Sequence, residues 1–123
     1  MRLRFLIKEA KYNLRKRIQR FSHGYSDEDV WNMDTWFIET ITPMLHQLKT
    51  RGLGIPPYLT EDEWRDILSQ MLNHLYFMNE DNVIKFLGYS TTTKNYERIN
   101  EILLDHKNKF FELFSKYFYD LWD

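Results

Sequence analysis

Gly24-Tyr25-Ser26-Asp27-Glu28-Asp29-Val30-Trp31-Asn32-Met33-Asp34-Thr35-Trp36 carries a stop followed by a start. His23-Gly24-Tyr25 interrupts the helical pattern before it, and Ser26 with Asp29 three residues on is an Asp version of the capping box that opens a helix. Continued at 100° per residue, a helix from Ser26 sets Asp34 among Val30, Trp31, Phe37, Ile38 and Ile41. A carboxylate inside an apolar sector needs a cation. Arg17, which falls within the apolar sector of the preceding segment, is the expected partner. The pair reads either as a structural ion pair or as the lining of a polar pocket.

Upstream, Leu3, Leu6, Ile7, Ala10, Leu14, Ile18 and Phe21 recur with helical spacing, which predicts an amphipathic helix over about 3–21 with its apolar side in the core. Arg4, Lys8, Lys11 and Arg15 follow one another at steps of four, three and four and form a basic stripe on another side. Net charge is only −1, yet residues 1–20 hold eight Lys or Arg against Glu9 alone, a charge of +7, which leaves −8 on the rest. Such a division suits either an intramolecular clamp or a surface offered to phosphates.

Downstream, the helix from Ser26 is expected to run over 26–50 with a kink near Pro43. Thr50 to Tyr58 is a connector rich in Gly and Pro. Thr60 with Glu63 is a full capping box, and Trp64, Ile67, Leu68, Met71, Leu72 and Leu75 predict a helix over 60–77. A short helix is expected at 80–87, then a loop at Gly88 to Thr93. The last helix, about 94–121, carries an apolar face wide enough for two or more neighbours. No sustained period-two alternation appears. The expected fold class is all-α, a compact bundle of four main helices with a short extra one, in a single domain spanning all 123 residues.

Cysteine is absent, which removes disulfides, thiolate zinc sites and cysteine nucleophiles. The longest apolar run near the start, Phe5-Leu6-Ile7, is far short of a signal peptide or a membrane span, so a soluble intracellular protein is expected. His106 lies on the apolar face of the last helix and reads either as a satisfied core histidine or as part of a polar site. No histidine pair has metal-ligand spacing, and no glycine-rich phosphate loop or nucleophile elbow occurs, so neither metal nor cofactor is expected. Glu63-Trp64-Arg65-Asp66 matches one carboxylate element of the all-α nucleoside triphosphate pyrophosphohydrolases. Its upstream companion is missing, and a metal-dependent phosphohydrolase using Asp34, Glu39, Glu63 and Asp66 stands as the alternative from the enzyme class. The basic stripe suits phosphates of a small nucleotide better than a duplex, which the acidic remainder would repel. Arg4, Lys8, Lys11 and Arg15 are then the phosphate contacts, with Arg17, Asp34 and His106 as polar lining.

The Gly24 to Trp36 string, together with Pro43-Met44-Leu45, the Pro57 to Trp64 helix entry and the ending Leu113 to Trp122, resembles a group of small proteins from tailed bacteriophages. The likeness covers about residues 15–77 and 106–122. Phe111-Glu112 departs from it where a small residue is usual, and Arg65 where an acid is. The resemblance implies a phage accessory protein in the cytoplasm of the infected host that binds and blocks a host or defence protein, or sequesters a phosphorylated small ligand. A virion structural or assembly protein is a further alternative, and the aromatic surface leaves room for a homo-oligomer.

Overall fold

The computed structural model describes residues 2–89 and 95–123, and every regular element among them is helical. Six α-helices follow in order: α1 (Arg2–His23), α2 (Asp27–Trp31), α3 (Met33–Arg51), α4 (Glu61–Tyr76), α5 (Glu80–Leu87) and α6 (Tyr96–Lys116), with a 3-10 turn at Phe118–Asp120. The part of the expected loop at 90–93, and the expected helix start at Lys94, lie outside the described residues. The chain gathers into two compact units, Met1–Glu39 and Thr40–Asp123.

In the first unit α1 ends because Gly24 adopts the left-handed conformation, φ +84°, and its N–H reaches back to the Arg20 carbonyl at 2.8 Å. A side chain at that φ would be strained, so glycine is what permits the stop. The capping box then forms as expected from sequence. Ser26 Oγ accepts the Asp29 N–H at 3.3 Å, and Asp29 Oδ2 accepts the Ser26 N–H at 2.8 Å. Both residues are buried.

The helix from Ser26 does not continue to residue 50. It stops at Asn32, whose φ of −133° and ψ of 58° are not helical, and α3 restarts with the Trp36 N–H on the Asn32 carbonyl at 2.9 Å. Asparagine is a poor helix interior and a good start, which is why the break falls there. Pro43 instead lies inside α3, which carries on to Arg51. The interruption resets the helical phase, and this overturns the expectation for Asp34. Asp34 is exposed, as are Val30 and Trp31, so the inward face inferred from them does not exist. Asp34 sits in the first turn of α3, where a carboxylate is favoured by the helix dipole.

The second unit holds the core. α4 packs on α6, and α5 also packs on α6, as the width of the last helix's apolar face predicts. Leu68, Met71, Leu75, Val83, Ile99 and Phe110 are completely buried, each burial being worth about 1.5–3 kcal/mol. Trp64 meets Tyr117 edge to face with ring centroids 5.8 Å apart. α4 starts on its capping box: Thr60 Oγ1 accepts the Glu63 N–H at 3.1 Å, and Glu63 returns the bond to the Thr60 N–H at 3.0 Å.

α6 is shorter than its apolar pattern. It leaves helical geometry at Tyr117, and the 3-10 turn carries the chain onto the Gly-Pro connector. Asp123 Oδ1 there accepts the Leu53 and Gly54 N–H groups at 2.6 and 3.0 Å, which hold its carboxyl below the ordinary range. A Cβ on Gly54 would come within 3.1 Å of the Trp122 carbonyl, so the close approach favours glycine. Tyr58 donates to Asp120, and that bond pushes its hydroxyl up to about 12.

Candidate interaction surface

The first unit is organised by the polar side of α1. Lys16, Gln19 and Arg20 recur at steps of three and one, and all three turn toward the start of α2. Lys16 Nζ lies 2.9 Å from Glu28 Oε2. Gln19 donates to Asp27 Oδ2 at 2.8 Å and accepts the Asp27 N–H at 3.0 Å. Arg20 holds Asp29 with two bonds, Nε to Oδ2 at 2.9 Å and a terminal nitrogen to Oδ1 at 2.6 Å. Planar guanidinium against carboxylate is the strong form of an ion pair. Arg20, aided by the Ser26 backbone N–H, holds the Asp29 carboxyl far below the usual range. Glu28 is likewise lowered by the Tyr12 hydroxyl first and Lys16 second, and Tyr12 is raised in return.

The consequence is geometric. Helical angles of 100° per residue set Tyr12, Lys16, Gln19 and Arg20 on the side opposite Leu3, Ala10, Leu14 and Phe21. With its polar side on α2, α1 turns its apolar side away and buries no residue. Leu3, Leu6, Ile7, Leu14 and Ile18 are all exposed, and Phe21 is 93% exposed. The expectation that this side belongs to the core is overturned, because polar pairing with α2 claims the opposite face.

Arg4, Lys8, Lys11 and Arg15 are exposed along one edge of the apolar side, and none makes a hydrogen bond or ion pair with another described residue. Arg15 also borders a hollow of about 180 Å³, shared with Tyr12, Lys16, Asp27, Glu28 and Trp31. Its acids are already engaged by α1, so it is a poor seat for a phosphate. The expected Arg17–Asp34 pair does not form: both side chains are exposed, Asp34 accepts the Thr35 N–H at 2.8 Å, and the ion pairs that leave α1 are Lys16–Glu28 and Arg20–Asp29 among the described residues. The observed pair joins α1 to α2, whereas Asp34 belongs to α3, and Asp29 serves both as the cap of its own helix and as the partner of Arg20.

His106 is partnered within the second unit. Its Nδ1 lies 2.9 Å from the Nδ1 of His74 on α4, and its ring stacks on Phe77 with centroids 4.8 Å apart. The His74 and His106 centroids are 5.2 Å apart, so the rings meet nitrogen to nitrogen, one donating and the other accepting. Burial lowers both imidazoles, and His106 also lowers His74 by its charge. Nothing in sequence links residues 32 apart. Beside them is a hollow of about 580 Å³ lined by Phe77, Phe86, Arg98, Glu101, Asp105 and His106. Its charges are paired on their own helix, Arg98 with Glu101 at 3.2 Å and Asp105 with Lys109 at 2.9 Å.

Two of the four carboxylates of the phosphohydrolase alternative have other occupations. Glu63 closes the cap of α4, and Asp66 accepts from Gln70 at 2.7 Å. Among the described residues no group of three or more His, Asp or Glu is placed to hold a metal ion, and no helix is long and apolar enough to cross a membrane. No family model, curated protein or solved structure matches the chain.

Proposed function

We propose that this chain is a non-enzymatic binding protein that acts by occupancy, with α1 as its contact element. The observation that carries the reading is the turned-out helix: polar residues of α1 are committed to α2, while an apolar side and four cations unpaired among the described residues face outward. Contiguous exposed apolar surface of this kind is where proteins bind one another. On the resemblance to tailed-phage proteins, the partner is a host or defence protein in the infected cell. The small-phosphate version has less behind it, because Arg17 and Asp34 stand apart in solvent and His106 is engaged by His74.

Purification of the tagged protein from infected cells beside a Leu14→Glu variant tests this. The variant alters only an exposed side chain. A protein enriched with the wild type, lost with the variant and reconstituted from purified components supports the reading. Equal enrichment with both, or none, overturns it.

A further inference from the structure

The spacing of the outward side of α1 says more about its occupant. Leu3, Ile7, Ala10, Leu14, Arg17 and Phe21 follow at steps of four, three, four, three and four, the two-position seam of a coiled coil. Over 22 residues the helix is about 33 Å long, enough for three heptads. The positions beside the seam are Arg4, Lys11 and Ile18 on one edge and Leu6, Asn13 and Arg20 on the other, so no acid lies on the seam or next to it. Arg20 is already held by Asp29; Arg4 and Lys11 are exposed and unpaired among the described residues, and Lys8 and Arg15 extend that edge. Arg17 stands on the seam itself.

We infer that α1 pairs with an acidic amphipathic helix of a partner protein, one that presents an apolar seam, acids along the edge facing Arg4 and Lys11, and an acid opposite Arg17. The inference rests on the occupancy reading above and names the chemistry of its partner. Three candidates compete for an apolar seam, and charge separates them. A second copy brings two +7 segments together and, in a parallel pair, sets Arg17 on Arg17. An anionic lipid surface would leave Arg17, inside the apolar sector, to snorkel back to the headgroups, whereas a facing carboxylate meets it in place. An acidic helix satisfies Arg17 with a facing carboxylate and the edge with flanking ones, the arrangement that sets partner choice in coiled coils.

The test uses the full chain and synthetic peptides. Two peptides of three heptads carry Leu on the seam, Glu on both edges and one seam Glu set to face Arg17, in parallel or antiparallel pairing; a third has Lys on the edges. Calorimetry is expected to show the better Glu peptide binding roughly tenfold or more tighter than the Lys peptide. Leu14→Glu should abolish this binding without changing helical circular dichroism. Arg17→Glu should weaken it and regain it with a peptide whose facing Glu is Lys. Equal binding of Glu and Lys peptides overturns the inference. So does binding to phosphatidylglycerol vesicles in place of either peptide, or a concentration-dependent dimer lost in Leu14→Glu. If the peptides fail while infected cells yield a partner dependent on Leu14, occupancy stands and the helical partner falls; peptide binding with no cellular partner is the reverse.

Discussion

Arg20 and Asp29 meet as a two-point pair that closes the first unit, and Asp29 at the same time caps the helix it belongs to. One carboxylate thus fixes both where α2 begins and which side of α1 faces it. Removing the guanidinium should release α1 from α2. Hydrogen exchange of Arg20→Ala is expected to show lost protection over residues 27–31 and unchanged protection over α4 and α6. Arg20→Lys, which keeps charge but not the fork, should fall between the two.

The same pair makes the first unit acid-sensitive. The Asp29 carboxyl is depressed below its ordinary 3.8, so its contribution is complete above that pH and is lost as pH falls through the folded value. Acid titration followed by Trp31 and Trp36 fluorescence should show α1 leaving α2 below pH 3.8. Asp29→Asn should show the released state already at neutral pH.

The histidine pair predicts a second pH effect, in the other unit. His74 and His106 are both depressed below 6.5, so the unfolded chain binds more protons and stability falls as pH drops below 6.5 toward the folded values. Lys109 works with burial here and Asp105 against it. Urea midpoints should be lower at pH 5 than at pH 7.5, and a His74→Gln, His106→Gln variant should flatten that difference.

Large-to-small changes separate the two apolar surfaces. Leu68→Ala, at a completely buried position on α4, should cost about 2–5 kcal/mol by urea unfolding. Leu14→Ala, on the open side of α1, should stay within about 0.5 kcal/mol. Asp34→Ala should cost no more than about 1 kcal/mol, as befits a first-turn acid and not a buried ion pair.

What could be read from sequence was local. Thr60 with Glu63 and the spacing of Trp64, Leu68, Met71 and Leu75 state a helix start and a buried face within a few residues of themselves. Asn32 could not be read in this way, because apolar residues on both sides of it keep a plausible phase across the break. Asp34 was misplaced for that reason alone. The amphipathic pattern of α1 demands a cover for its apolar side without saying which molecule supplies it. His74 and His106 come together only through the packing of α4 on α6.

The central claim is that the apolar side of α1 is open in the free protein and closes on a partner. The chain has no cysteine, so a single cysteine in place of Leu14 reports on that side without background. Maleimide should react with Leu14→Cys in the free protein about as fast as with an unfolded peptide, and far more slowly once the acidic helix is bound. Slow reaction in the free, monomeric protein would contradict the account, because the side proposed to receive a partner would already be covered.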